Sequence, residues 1–388
     1  MPGVSYALAN FVDGGPIVDL PVMTGATWSA QLNRPDAVGC KVDLKDPAVR
    51  ALDLRSSSEP NKTLLLARTD DDIVLAWGLI GDGDRTWDED SRTVELSATG
   101  ILGSYFGLAP IAPVDVLTAD LTAVDEDGYI VINPDLDTTI SGVSHGTIGK
   151  RLVEQLLAWP GAPTVFDLPP DEPGFRTQTW TLSSAKTIGA ALTDLTKQEG
   201  GPDFAFEAVR ASNGLNLRYV MRHGSEAQPR LGADVGVWSI GGPASPITGL
   251  KLTDAVAAGA SLGLMFAGRS SAKVLASRVL NPTALADGYP AGLSVVDTSR
   301  SDVTEQATLD RYNVANMEDA KASIRDLSFT VEGNASPGLG QFRPGDTLTL
   351  DPPDGHPWHT APIPIRVMSM SGDETGKKIK IGCVILDA

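Results

Sequence analysis

The stretch Gly259-Ala-Ser261-Leu-Gly263 has the residue pattern of a serine nucleophile elbow. That motif supports catalysis only where a sharp strand-to-helix turn exposes the serine hydroxyl at the head of a helix. Here the next residues are Leu-Met-Phe-Ala, which predict that a strand continues. We therefore interpret Ser261 as part of a strand. The alternative function that stays open is a serine hydrolase or cell-wall-degrading enzyme that uses Ser261.

The acidic run from Asp82 to Asp90 offers several oxygens of the kind that calcium prefers. Counted from Asp84, a glutamate does fall at the twelfth position of the loop, as Glu95. The sixth position, which needs glycine for the turn, is Glu89, and no helices are predicted on either side. The favoured interpretation is a solvated hairpin tip.

Two further patterns are weaker. His356 and His359 lie on a proline-rich loop, but the chain has only 4 histidines and no second ligand pair to complete a metal site. The stretch Gly146–Lys150 superficially follows a phosphate loop, yet Arg151 stands where Ser or Thr would bind magnesium. The sequence therefore predicts no catalytic, cofactor-binding or metal-binding residues.

Short strands dominate the prediction for residues 1–135. The 388-residue chain has 40 glycines and 27 prolines, which favours many short strands over long helices. Alternating apolar residues and turn signals predict strands in five places: 6–20 (a strand pair), 26–32, 38–44, 64–80 (a hairpin) and 94–98. These strands predict a β-barrel or a β-sandwich, followed by an acidic, irregular connector over Asp115–Pro134.

The period of apolar residues changes in the middle segment, residues 136–243. Helices are predicted from Ile148 to Trp159 and from Ile188 to Leu195. A hairpin across Ser212-Asn213-Gly214 follows them. This segment is predicted to be a small α/β module.

Residues 244–388 are predicted to form a second β-barrel or half-barrel with a long helix, 302–324. Asp302 and Glu305 have the spacing of a capping box at the start of that helix. Strands are predicted at six places: 249–253, 260–267, 327–332, 347–350, 363–370 and 378–386. The polar stretch over 270–298 is interpreted as a surface excursion. The predicted fold class is thus mainly β (α+β), with two tube-type β-barrel domains flanking a small α/β module.

The C-terminal strands resemble those of phage tail-hub proteins, the minor tail proteins of siphophages that infect actinobacteria. The resemblance rests on four motifs: Val331-Glu-Gly333, Gly345-Asp346-Thr-Leu348-Thr-Leu350, Arg366-Val367 and Lys378-Ile-Lys-Ile381. It is weaker in the N-terminal segment, where it rests on Trp28-Ser-Ala-Gln-Leu-Asn33 and Trp77-Gly-Leu-Ile80.

The resemblance implies a non-enzymatic structural protein of the virion, without cofactors. Tail hubs are homotrimers in which two barrels per subunit form a ring of six similar units. Such a ring joins the six-fold tail tube or distal tail protein above to three-fold tip or spike minor tail proteins below. It lines the channel for genome passage and can hold the tape measure protein. The expected location is the tail tip, after assembly in the host cytoplasm. A receptor- or carbohydrate-binding minor tail protein stays an alternative.

Charge and composition add three expectations. A net charge of −18 argues against specific nucleic-acid binding, because phosphate neutralisation needs clustered Lys and Arg. Cys40 and Cys383 are too few for a disulfide framework, and each is predicted to be a small buried residue. No apolar run approaches the ~20 residues that span a bilayer, and the first residues lack the pattern of a targeting signal.

Overall fold

Strands account for 41% of the structure and helices for 18%, which confirms the predicted mainly β class. The structure, a computed structural model, describes residues 3–81, 83–242, 245–254, 260–267, 274–286, 288–300, 303, 305–321, 325–355 and 361–386. Within these ranges, none of the helices is both long and apolar enough to cross a membrane.

The N-terminal segment begins with eight strands and three short helices. In chain order they are β1 (Val4–Asn10), β2 (Val18–Leu20), β3 (Thr27–Gln31), β4 (Ala37–Asp43), α1 (Pro47–Ala51), α2 (Leu54–Ser57), β5 (Thr63–Thr69), β6 (Val74–Leu79), β7 (Arg85–Asp88), β8 (Thr93–Thr99) and α3 (Tyr105–Leu108). The predicted strand pair forms between β1 and β2, and the predicted hairpin between β5 and β6.

The connector predicted over Asp115–Pro134 is not wholly irregular. It contains an antiparallel hairpin of β9 (Thr122–Val124) and β10 (Ile130–Ile132). The Asp125 carboxylate accepts hydrogen bonds from the backbone N–H groups of Asp127 and Tyr129, at 3.1 and 2.8 Å. These bonds stabilise the turn between β9 and β10. This polar, acidic stretch can therefore form a hairpin although its sequence predicts an irregular connector.

The middle segment contains the predicted helices and hairpin. Its elements are β11 (Thr138–Val143), α4 (His145–Leu157), β12 (Phe166–Asp167), β13 (Arg176–Trp180), α5 (Ile188–Thr196), β14 (Phe204–Arg210), β15 (Leu217–His223) and β16 (Asp234–Ser239). Ser144 and Thr187 cap α4 and α5, each accepting from a backbone N–H in the first turn. The hairpin across Ser212-Asn213-Gly214 joins β14 to β15.

The C-terminal segment is richer in strands than predicted. Its elements are β17 (Ile247–Asp254), β18 (Leu262–Ala267), β19 (Leu275–Leu280), α6 (Pro282–Ala286), β20 (Ser294–Arg300), α7 (Gln306–Lys321), β21 (Arg325–Glu332), β22 (Thr347–Asp351), β23 (Ile363–Asp373) and β24 (Lys378–Ile385). The interpretation of 270–298 as a surface excursion is wrong, because β19, α6 and β20 lie there. The predicted long helix corresponds to α7, and Asp302 lies outside the described residues.

One sheet contains fourteen of the described strands. Its order is β17-β21-β24-β23-β3-β4-β8-β6-β5-β1-β2, with β7 on β8, β22 on β23 and β16 on β22. Strand β23 pairs with β24 on one side and with β3 on the other, antiparallel in both cases. The two ends of the chain therefore share one continuous sheet, and we call the β3–β23 junction the seam.

Apolar packing covers one face of this sheet. Trp238 makes edge-to-face contacts with Phe329 and Phe342, and its indole N–H donates to the Pro337 carbonyl oxygen at 3.1 Å. Cys40 and Cys383 are free thiols buried in this same apolar cluster, which confirms the prediction that each is a small buried residue. Burial raises the pKa of the Cys40 thiol to about 12. A protonated thiol of this kind behaves as a small apolar group.

A second apolar cluster joins the sheet to the middle segment. The Trp77 ring stacks on Tyr219 with ring centroids 5.0 Å apart. The Trp77 indole N–H also donates to the Phe206 carbonyl oxygen at 3.0 Å. The module is thus held to β6 by an aromatic stack and a directed hydrogen bond.

A separate three-stranded sheet, in the order β19-β18-β20, packs against α7. Gly263 of β18 lies under the helix, where a Cβ atom would come within 2.5 Å of Met317. The absence of a side chain at Gly263 therefore allows α7 to lie close to the strand.

We predict that Gly372→Ala weakens the seam. Gly372 pairs with Trp28, and an added Cβ atom would lie 2.8 Å from the buried Trp28 ring. The added methyl group would displace the buried ring, so the free energy of unfolding is expected to fall by about 1–3 kcal/mol, the usual cost of overpacking. Denaturant unfolding measures this. Gly242→Ala, at a site with nothing within 4 Å, is the matched control, and equal effects of the two changes would contradict the prediction.

Candidate functional site

The exposed face of the large sheet carries a row of small polar residues across the seam. Strand register places seven residues side by side on seven neighbouring strands: Thr248, Thr330, Lys380, Ser371, Ser29, Ala37 and Thr99. Their neighbours along each strand, such as Trp28 and Ile381, point into the apolar core. Lys380 is the single charged member of the row.

Two shorter rows flank it and have the same character. The register aligns Lys251, Ser328, Gly382, Ser369 and Gln31 on one side, and Asp373, Thr27, Gly39 and Ser97 on the other. We call the three rows together the polar seam face. They border a shallow groove of ≈ 740 Å³ that crosses the seam.

The chemistry of the polar seam face is that of a weakly interacting surface. Serine and threonine offer short hydroxyl groups, and glycine offers only its backbone polar groups. None of the three has a large apolar or aromatic side chain. Lys380 lies beside Ser371 and Thr330, and the row has no arginine. A nucleic acid next to this surface would meet mostly hydroxyl and backbone groups, with Lys378 and Lys380 lining the groove beside the carboxylate of Asp373.

Sequence reasoning missed this surface. The signal that existed was the alternation around Trp28, which places Thr27, Ser29 and Gln31 on the face opposite the core. The pairing of Ser29 with Ser371 joins residues from opposite ends of the chain. No local pattern specifies such a pairing, so the continuity of the rows was not predictable.

A buried carboxylate, Asp203, fixes the middle segment to the sheet. Asp203 is 0% exposed and forms a salt bridge with the buried Arg366 of β23. Its Oδ1 accepts from the Asn33 side-chain amide at 2.8 Å, and its Oδ2 accepts from the Leu231 backbone N–H at 2.9 Å. Arg230 approaches from the exposed side at 3.4 Å.

The partners of Asp203 come from all three segments of the chain. Asn33 lies after β3 and also accepts from the Phe204 backbone N–H at 2.8 Å. Arg366 donates in addition to the carbonyl oxygens of Gly345 and Leu231, at 3.1 and 2.9 Å. Because both charges are paired and hydrogen-bonded, their burial is tolerated. The cluster therefore positions β3, β23 and the module relative to one another.

Ser261 lies in a structural position. Its hydroxyl donates to the Leu293 carbonyl oxygen at 3.1 Å and accepts from the Gly292 backbone N–H at 3.2 Å. The side chain is buried, and the residues that follow continue as β18. Gly259 of the motif lies outside the described residues, whereas Gly263 serves the packing of α7. The predicted strand does follow the motif, but Ser261 itself lies one residue before β18.

The residues of the phosphate-loop-like stretch form the first turns of α4. A Cβ atom at Gly149 would lie 2.4 Å from the Phe204 ring, and one at Gly146 would lie 2.2 Å from His223. These glycines allow α4 to pack against the β14–β15 hairpin. The Lys150 amino group forms salt bridges with the carboxylates of Asp171 and Glu154, at 3.0 and 3.3 Å.

The acidic run uses its carboxylates to hold turns. Asp84 accepts from the Gly81 backbone N–H and the Ser97 hydroxyl, each at 3.0 Å. Asp88 accepts from backbone N–H groups of the following turn, and bonds from Ser91 lower its pKa. Among the residues that the structure describes, no three His, Cys, Asp or Glu side chains are placed to hold a metal ion. Asp82, His356 and His359 lie outside the described residues.

Comparison with known proteins gives matches in structure. No protein-family model and no curated sequence matches this chain. The tail protein from Neisseria meningitidis MC58 is similar with a TM-score of 0.54 and 13% identity, over 98% of this chain and 97% of that one. The 43 kDa tail protein of prophage MuSo2 from Shewanella oneidensis is similar with a TM-score of 0.53 and 14% identity, over 98% and 96%.

A chain of the lidded Francisella PdpA–VgrG complex is also similar, with a TM-score of 0.50 and 6% identity, over 99% of this chain and 53% of that one. These likenesses concern the fold, which this chain shares with two tail proteins and with a chain of the PdpA–VgrG complex. The predicted resemblance to phage tail-hub proteins is confirmed at this level.

We predict that Asp203→Asn is strongly destabilising although it preserves size. The change leaves the buried Arg366 without its counter-charge, and the loss is expected to be about 3–5 kcal/mol. Glu59→Gln is the matched control, because Glu59 pairs with the exposed Lys62 at 2.9 Å. The control should cost less than about 1 kcal/mol. Urea midpoints of the two variants that coincide would refute a central role for Asp203.

We also predict acid sensitivity from His145, the first residue of α4. Burial lowers the pKa of His145 to about 4, and the positive charge of Arg176 acts in the same direction. The unfolded chain binds a proton near pH 6.5, so this contribution to stability is complete above that pH and is lost as the pH falls towards 4. Between pH 7.5 and 5.0 the loss should be about 2 kcal/mol, and His145→Gln should remove it. Unfolding measured at both pH values tests this, and an unchanged pH dependence in the variant would count against it.

Proposed function

We propose that this chain is a structural subunit of a phage tail, a trimeric hub at the tail tip whose polar seam face lines the channel for genome passage. The observation that carries the proposal is the continuous row of small polar residues across both ends of the chain. The fold shared with two phage tail proteins supports a place in the virion.

The proposed hub contains two barrel-like units per chain, residues 1–135 and 244–388, with the module 136–243 outside them. The β3–β23 seam supports this arrangement, because it makes the exposed faces of the two units continuous. Three copies would then present six similar units around an axis. Such a ring can contact a six-fold tail tube or distal tail protein on one side and three-fold tip or spike proteins on the other.

A channel wall has to let a polyanion pass without retaining it. Clustered Lys and Arg would bind DNA by counterion release, whereas dense carboxylates would repel it. The main row of the polar seam face has hydroxyl groups and one lysine, so it would neither bind DNA strongly nor repel it. The same wall could accommodate the tape measure protein, and it needs no sequence-specific contacts with nucleic acid.

The role is proposed to be structural and not catalytic. The buried, hydrogen-bonded hydroxyl of Ser261 gives no support to a hydrolase. Assembly in the host cytoplasm and a final location at the tail tip complete the proposal.

Placing cations on the polar seam face tests the channel. We expect Thr99→Arg with Ser371→Arg to leave folding and ring assembly intact, because the two residues lie on the exposed side with two strands between them. The substituted rings should retain duplex DNA at low salt, with affinity that falls steeply as salt rises. DNA binding by fluorescence anisotropy measures this, and unaltered rings should show none.

The matched control places arginine at Thr177 and Ser183, which are exposed on the module. This variant should behave like the unaltered chain. Cryo-EM of the assembled rings gives the second readout, in which the polar seam face should surround the axis. Rings without a central passage, or with this face on the outside, would overturn the proposal.

A further inference from the structure

Two apolar surfaces on the described part of the chain are uncovered and lie apart from the polar seam face. The first is the hairpin β9–β10 with its flanking turns, residues 114–136, which we call the acidic arm. The second is the side of the β19-β18-β20 sheet that faces away from α7, which we call the open sheet face.

The acidic arm presents apolar side chains on one side of its hairpin. Opposed residues in register share a face, and Val124 is paired with Ile130. Val124 is 70% exposed and Ile130 is 78% exposed, with Ile132 and Tyr129 exposed beside them. A two-stranded hairpin has little stability of its own, so an uncovered apolar face of this kind marks a contact surface.

The arm also has a one-sided charge. Residues 114–136 contain six carboxylates and no lysine or arginine: Asp115, Asp120, Asp125, Glu126, Asp127 and Asp135. A partner surface should therefore be apolar and carry positive charge.

The open sheet face has these properties. Its register places Arg278, Leu264 and Val296 in one row across the three strands. A second row contains Leu280, Leu262 and Ser294. Leu280 is 62% exposed and Val296 is 54% exposed, and Arg278 is exposed beside Leu280 on β19.

We propose that the acidic arm of one copy docks on the open sheet face of the next copy. This inference rests on the proposed hub function and names the contact that closes its ring. Docking pairs apolar side chains with apolar side chains and brings the arm's carboxylates to Arg278. An arm–arm contact would bring two sets of six carboxylates together, and a face–face contact would oppose Arg278 to itself, so like charges disfavour both symmetric alternatives.

The contact joins two different surfaces of one chain and is therefore heterologous. A heterologous contact repeats head to tail and closes into a ring when the rotation permits. In a closed trimer, each copy uses its arm to contact one neighbour and its open sheet face to contact the other. All three arms and all three open sheet faces are then covered.

The experiment uses the full chain with two kinds of substitution. Val124→Asp with Ile130→Asp disables the arm, and Leu280→Asp with Val296→Asp disables the open sheet face. Each double variant alone is expected to associate at least about 100-fold more weakly than the unaltered chain, because burial of the apolar pairs is lost. Val237→Asp, at an exposed apolar position of β16, is the control and should assemble normally.

Mixing the two disabled variants distinguishes the proposed contact from its alternatives. One productive contact remains in the mixture, between the intact arm of one variant and the intact face of the other. Light scattering should then show a one-to-one complex and no ring. Arm-disabled chains that assemble like the unaltered protein would overturn the inference, as would face-disabled chains that do so.

A disulfide test separates this inference from the hub proposal. The natural cysteines are buried, so Val124→Cys in one chain and Val296→Cys in another provide the accessible thiols. We expect a cross-link in the mixture and not in either variant alone. A cross-link without closed rings would retain the contact and refute the trimer, whereas trimers without this cross-link would retain the hub and refute the contact.

Discussion

The buried carboxylate of Asp203 is the constraint on which the arrangement of the chain depends. A charged group without solvent needs a complete set of partners, and those of Asp203 come from three distant segments. Asn33 follows the seam strand β3, and Arg366 lies on the seam strand β23. The requirement to satisfy one carboxylate therefore fixes the module and both sides of the seam in a single geometry. Apolar packing around Trp77 adds stability, but it is less directional.

The seam converts two ends of a chain into one surface. Hydrogen bonding between β3 and β23 aligns their alternation, so the core-facing residues Trp28 and Met370 fall on one side and Ser29 and Ser371 on the other. A shift of one residue would exchange these sets and expose the tryptophan. The burial of Trp28 thus stabilises the observed register between β3 and β23. That register in turn aligns the polar residues of neighbouring strands into rows. In this sense the character of the exposed face is a consequence of the core.

Sequence patterns identified local elements better than the contacts between them. The Ser212-Asn213-Gly214 hairpin and the helices α4 and α5 follow from turn residues, caps and apolar periods within a few positions. The seam and Asp203 depend on partners from other parts of the chain. Aspartate is frequent in this acidic sequence, and nothing near position 203 distinguishes the buried one. The strands β19 and β20 were missed because only one of their faces is covered, which leaves their sequence polar and punctuated.

Charge and apolar surface act over different distances in this chain. A net charge of −18 makes separate copies repel one another, but salt screens that repulsion beyond about 8 Å at physiological ionic strength. Apolar contact acts only when surfaces meet, and it does not weaken with salt in the same way. Repulsion therefore slows encounters between copies and opposes contacts in arbitrary orientations. An orientation that brings carboxylates to an arginine reduces the repulsion where the apolar surfaces touch. Acidity and exposed apolar faces are thus compatible in one chain, because the first limits indiscriminate association and the second stabilises the oriented contact.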